Sequence, residues 1–166
     1  MAIVVMGVAG SGKSTVMEAL GRRLGWRILD GDTLHSKANV ARMAAGKPLT
    51  DADREPWLAA IATWMAVRKT AGEPCLVACS ALRRSYRDTL RGGNPAATFV
   101  HLVAPDAVLA ERIRQRPRHT FPPTLLPSQL ATLEPLEPDE RGFTIDVNNG
   151  PAAVADQIVA RLDVAS

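Results

Sequence analysis

The stretch GVAGSGKST, residues 7–15, carries Gly7, Gly12, Lys13 and Ser14 at the fixed places of the pattern G-x-x-x-x-G-K-[ST]. In such a loop the backbone N–H groups curl around an anion, and the helix that follows adds unpaired N–H groups and a positive dipole end. Gly7, Ala9, Gly10, Ser11, Gly12 and Thr15 would form the cradle, Lys13 would reach the β- and γ-phosphates, and the Ser14 hydroxyl would hold Mg²⁺. The plainer alternative is a glycine-rich strand-to-helix turn with an incidental lysine. Context argues against it, because the apolar run AIVVM precedes the loop and a helical stripe (Val16, Leu20, Leu24) follows. A second group, Asp30 and Asp32 in RILDGDTLH, falls where another apolar run ends. Spaced by two on an extended chain, both carboxylates would face one crevice. Phosphoryl transfer needs one carboxylate near Mg²⁺ and another that orients or deprotonates the attacking hydroxyl. An Asp-Gly turn with helix-capping acids is the simpler account of the same residues.

Further along, His35 sits just past the acidic pair, and Arg54 lies near the start of a helix capped from Thr50 or Asp51. A guanidinium grips a carboxylate through two parallel hydrogen bonds, which suits Arg54 to an acid substrate; a solvated helix-start arginine and a surface histidine are the alternatives. Trp57 and Trp64, seven apart, read as packing on a helix face. His101, inside an apolar strand, reads as structural. The net charge of +3 is concentrated in Arg112, Arg114, Arg116 and Arg118 and in Arg83, Arg84 and Arg87. Apart from Tyr86, no aromatic residue interleaves with these runs, so a site for small, multiply charged anions is expected and nucleic-acid binding is not.

These residues need a scaffold, and the chain supplies one. Its 166 residues, 46% apolar and 22% charged, suit a single soluble domain spanning 1–166. β-rich runs at 2–6, 26–29, 75–79, 97–103 and 143–147 alternate with helical stretches near 13–24, 36–45, 51–71, 81–91, 105–116, 124–133 and 151–163. The alternation predicts an α/β fold with a parallel sheet covered on both faces, and ligands outside the carboxyl ends of its strands. Six prolines between Pro117 and Pro138 mark the expected excursion from the sheet. No apolar run approaches a membrane span, and the phosphate loop starts too early for a removable signal peptide. Cys75 and Cys79, without metal-ligand spacing, read as reduced core residues of a cytoplasmic protein.

The succession GVAGSGKST, LDGDTLHSKANVARMAAGKPLTDADREPWL, CSALRRSYRDTLR and RHTFPPTLLPSQLATLEPLEPDE resembles the gluconate kinases (gluconokinases), small P-loop kinases related in fold to shikimate and adenylate kinases. The likeness runs nearly end to end, and its D-G-D-x-L-H and D-x-D-R-x-P-W-L segments are more diagnostic than the phosphate loop. It implies a three-layer α/β/α domain with a five-stranded parallel sheet and a helical lid near 116–134. It also implies transfer of the ATP γ-phosphate to the 6-hydroxyl of D-gluconate with Mg²⁺, and admits a homodimer. Carried over by motif, Asp32 is the hydroxyl-orienting base and Asp30 joins Ser14 in the metal shell, the reverse assignment staying open. His35, Arg54 and Arg83 line the gluconate pocket, with Arg54 on the carboxylate and His119 and Gln129 added from the lid side. Arg116 stabilises transferred charge and Arg112 packs on adenine, unless the two form a solvated basic stripe. Two departures stand out: Thr120 replaces an aromatic residue after the lid histidine, and the third strand ends in Cys79-Ser80-Ala81-Leu82 without an acid, an absence the family shares. The competing readings are a kinase for another polyol acid or a shikimate-like acceptor, and a nucleotide switch. A switch would need a base-specificity motif such as N-K-x-D, which the chain lacks.

Overall fold

A computed structural model describes residues 1–116 and 121–162. Five strands, β1 (Ala2–Met6), β2 (Arg27–Asp30), β3 (Cys75–Ala78), β4 (Ala97–Val103) and β5 (Gly142–Asp146), form one sheet in the order β2-β3-β1-β4-β5. Every neighbouring pair is parallel. The helices are α1 (Lys13–Leu24), α2 (Lys37–Ala44), α3 (Asp51–Thr70), α4 (Arg84–Gly93), α5 (Asp106–Arg114), α6 (Leu126–Thr132) and α7 (Pro151–Leu162). Strand and helix ends fall within three residues of the expected ones.

A parallel sheet is covered on both faces, so its inner strands read as continuous apolar runs rather than alternating ones. β1 is wholly buried, and its side chains divide between two cores. Ala2, Val4 and Met6 join Trp57, Ile61, Met65 and Leu90 on the face covered by α3 and α4. Ile3 and Val5 join Val16, Leu20, Val154 and Ile158 on the face covered by α1 and α7. The sheet order brings the carboxyl ends of β2, β3 and β1 side by side. Asp30 pairs in register with Ala78, which pairs in turn with Val5, so Asp30 stands level with the residues that open the phosphate loop.

One boundary differs for a physical reason. A helix was expected from residue 81, but α4 starts at Arg84, because Ala81 holds a left-handed φ of 45° and Arg83 is extended. A buried non-glycine residue in that region stores backbone strain, and the surroundings must hold it. The fully buried Arg87 does so in part by donating to the carbonyls of Ala81 and Leu82 at 3.2 and 3.3 Å.

Candidate active site

The phosphate loop closes tightly. Gly7 has φ 144°, and a Cβ there would sit 2.8 Å from both the Leu102 carbonyl oxygen and Ser11 Oγ. Gly10 has φ 81°, and a Cβ there would lie 2.7 Å from the Leu109 carbonyl oxygen, so only glycine lets the loop reach α5. Gly12 then caps α1, whose first residues are Lys13 and Ser14. Lys13 Nζ donates to the Val8 carbonyl at 3.0 Å, folding the ammonium back over the loop. Burial pushes Lys13 below its ordinary value, with Asp32 opposing the shift and Arg116 adding to it, so both groups are close enough to share its field.

The acidic pair divides rather than acting side by side. Asp30 ends β2 and accepts from Ser14 Oγ at 2.8 Å through one carboxylate oxygen. Its other oxygen accepts from the Asp32 backbone N–H at 3.1 Å and caps a 3₁₀ turn over Gly31–Leu34. The extended spacing expected for the pair therefore stops at Asp30. Asp32 lies in the turn, and its side chain, 68% exposed, borders a cavity, whereas Asp30 holds Ser14. A hydroxyl beside a carboxylate fits Mg²⁺, which takes one or two protein oxygens and completes its shell with phosphate and water. No cluster of three or more His, Cys, Asp or Glu suited to a metal occurs among the described residues.

That cavity, about 320 Å³, opens beside the phosphate loop and is bordered by Lys13, Ser14, Asp32, His35, Arg54 and Gln129. His35 is held flat against Trp57, with ring centroids 4.1 Å apart and planes 17° from parallel. Trp57 is fixed in turn by its indole N–H, which donates to the Gly31 carbonyl at 2.7 Å. Burial pushes His35 below its ordinary value, against the raising effect of Asp32 3.9 Å away, so the ring stays neutral near pH 7. Its Nδ1 is buried and lacks a partner among the described residues. Trp57 therefore packs the helix face as expected and also walls the cavity, a second role its spacing did not signal. Met43 of α2, with Pro48 and Leu49 of the α2–α3 connection, adds an apolar wall.

A second cavity, about 340 Å³, lies across the phosphate loop. It is bordered by Gly10, Gly12 and Thr15, by Arg112 of α5, and by Val147 and Gly150 between β5 and α7. Arg116 borders both cavities, the one residue of the expected set among the described residues that does so. Gln129 of α6 ties the far side down, its Oε1 accepting from the Ala9 backbone N–H at 2.7 Å. The expected lid is thus docked over its later half: Leu126 is buried in the core and the Glu134 N–H donates to the Leu82 carbonyl at 2.7 Å.

Other expected residues stand elsewhere. Arg83 does not border the cavity; it donates to Asp51 at 3.1 Å, one layer behind Arg54. His119, with Thr120, lies outside the described residues. Arg84 and Arg87, expected beside the anion site, are structural instead. Arg87 is fully buried and grips Glu140 through two bonds of 2.7 Å, while Arg84 pairs with Asp88, Glu137 and Asp139. His101 is buried in β4, and burial with the nearby Arg87 charge pushes it down to about 4.

A phosphate loop after the central strand, with one cavity on each side and an arginine at their junction, makes the chain a P-loop kinase. Residues 3–136 match the family described as AAA domain. The chain is 46% identical over 157 residues to a gluconokinase of Gluconobacter oxydans (strain 621H), covering 95% of this chain and 88% of that protein. It is 41% identical over 137 residues to the thermoresistant gluconokinase of Escherichia coli (strain K12), covering 82% and 78%. The crystal structure of a gluconokinase from Sinorhizobium meliloti 1021 superposes with a TM-score of 0.87 at 46% identity, covering 98% of this chain and 91% of that one. The chain belongs to the gluconokinase family. No helix among the described residues is long and apolar enough to cross a membrane.

Proposed function

We propose that the chain transfers the γ-phosphate of ATP to the 6-hydroxyl of D-gluconate, giving 6-phospho-D-gluconate and ADP. The observation that carries this reading is the pairing, in one cavity beside Lys13, of an exposed carboxylate (Asp32) with a guanidinium (Arg54) that keeps an edge unpaired among the described residues. The first suits an attacking hydroxyl and the second the carboxylate at the other end of the same acid. ATP would lie across the phosphate loop, its base in the cavity of Arg112 and its γ-phosphate reaching toward Asp32.

In the transfer a bond forms between the gluconate 6-oxygen and the γ-phosphorus, and the bond from that phosphorus to the β,γ-bridging oxygen breaks. Asp32 orients the hydroxyl and takes its proton. Lys13 and the loop N–H groups hold the phosphates, and Arg116, between the cavities, faces the charge that develops on the transferring group. Ser14 and Asp30 would hold Mg²⁺, which when bound neutralises phosphate charge. Neutral His35 offers the polyol chain a hydrogen bond, and Gln129 adds another from α6. The segment from Arg116 to Glu134 acts as the lid, with α6 its docked end. The two buried free thiols, Cys75 and Cys79, support a cytoplasmic setting.

A coupled ADP-release assay across gluconate, other aldonates, shikimate and nucleoside monophosphates tests the assignment. Gluconate is expected to give the highest kcat/KM. ADP release that does not depend on any acceptor would overturn it.

A further inference from the structure

Arg54 is only 11% exposed in its side chain, yet it borders the acceptor cavity, so something must hold its guanidinium at a fixed angle. One nitrogen is fully engaged: Nη1 donates to the Leu49 carbonyl at 2.7 Å and to the Tyr86 hydroxyl at 3.3 Å. Nε and Nη2 make no hydrogen bond among the described residues. The guanidinium carbon also lies 5.5 Å from the centre of the Tyr86 ring. The Tyr86 hydroxyl donates its own hydrogen to Asp51, so the proton is committed outward and the lone pair inward to Arg54. Burial, together with the bond to Asp51, pushes the phenol above its ordinary value, which keeps that proton in place. Asp51 lies 3.9 Å from Arg54 Nη1 and also accepts from the Arg83 guanidinium at 3.1 Å. Two cationic side chains thus share one carboxylate, and the guanidinium of Arg54 keeps Nε and Nη2 free of hydrogen bonds to the described residues.

We propose that Tyr86 is a positioning residue for the acid substrate: anchored by Asp51, its hydroxyl fixes Arg54 so that the free edge of the guanidinium meets the substrate carboxylate. Tyr86, Asp51 and Arg83 do not border the cavity themselves. They act through Arg54. Without the hydroxyl the guanidinium can pivot about the Leu49 carbonyl, and the two-bond grip loses its alignment. The inference rests on Arg54 gripping the carboxylate.

Steady-state kinetics of Tyr86→Phe, Arg54→Ala and the double variant separate the two ideas. Phenylalanine keeps the buried ring and removes only the hydroxyl. The expected result for Tyr86→Phe is a rise in the gluconate KM of roughly tenfold, as for loss of a hydrogen bond to a charged group, with kcat and the ATP KM within about twofold. In the Arg54→Ala background the same change should do nothing further, since residues acting through one another are not additive. Asp51→Asn, at an exposed position that spares the core, should raise the gluconate KM in the same sense by a smaller factor. An unchanged gluconate KM in Tyr86→Phe, or an equal rise with and without Arg54, would overturn the proposal while leaving Arg54 as the grip. An unchanged KM in Arg54→Ala itself would remove the grip, and the proposal with it.

Discussion

Glu140→Gln removes one charge from the centre of the fold and leaves the shape almost unaltered. Arg87 and Glu140 both have fully buried side chains and meet through two bonds of 2.7 Å, with Arg91 adding a third contact to the same carboxylate at 2.6 Å. Arg87 spends its remaining donors on the carbonyls of Ala81, Leu82, Glu134 and Pro135. It therefore pins the strained loop after β3 to the segment that follows α6. With glutamine at 140 the Arg87 charge stays buried and loses its counter-charge, a change that costs about 3–5 kcal/mol in comparable pairs. Against a total of about 5–15 kcal/mol for a domain, the variant should still fold at 25 °C, with a Tm lower by roughly 10 °C. Burial alone would raise the Glu140 carboxyl, but hydrogen bonds from Arg87, the Glu137 amide and Arg91 bring it down to about 2. A carboxylate depressed in the fold contributes its full stability above its ordinary value near 4.5 and loses it as pH falls toward about 2. The gap between wild type and variant should therefore be widest at neutral pH and close across that window. Urea unfolding from pH 7 down to pH 2 measures it, with gluconate KM followed at pH 7 alongside. A loss below about 1 kcal/mol, the level of an exposed pair, or a raised gluconate KM at undiminished stability, would refute the structural role and return Arg87 to the anion site.

Four further outcomes are expected. Lys13→Ala and Asp32→Asn should each slow single-turnover phosphoryl transfer by about a hundredfold or more with the fold intact by circular dichroism; a near-normal rate would remove that residue from the chemistry. Arg54→Lys should recover little of the gluconate affinity lost in Arg54→Ala, because a point charge lacks the fork, and full recovery would contradict a two-bond grip. Gln129→Ala should loosen α6 from the phosphate loop, seen as faster amide hydrogen exchange across 126–132; unaltered exchange would mean that Leu126 alone holds the helix. His101, pushed down to about 4 by burial and by Arg87, stays neutral in the fold where the unfolded chain would be protonated. It therefore contributes stability above pH 6.5 that is lost as pH falls toward about 4, by about 3 kcal/mol; His101→Leu should flatten that limb of the unfolding profile.

The sheet and its helices were legible because their signals are local. β1 and β3 are short apolar runs, α1 follows its glycine turn, and Thr50 caps α3 through a reciprocal bond with Asp53, all within a few residues. The phosphate loop and the acidic residues were legible for the same reason. What they point at was less so: Asp30 and Asp32 diverge because a 3₁₀ turn opens at Asp30, and a spacing argument built on extended chain cannot register that turn. The arginines show the deeper limit. Arg54, Arg83, Arg84 and Arg87 carry the same side chain within a short reach of chain; charge assigned the last three to an anion site, and the family motif added Arg83 to the gluconate pocket. Their fates are set by partners far along the sequence, such as Glu140, 53 positions beyond Arg87, and Tyr86, 32 beyond Arg54. Arg87 finds a carboxylate and four carbonyls and is neutralised inside the fold. Arg83 and Arg54 share the carboxylate of Asp51, and of these four arginines Arg54 alone borders the cavity, a placement that only the folded chain brings into being.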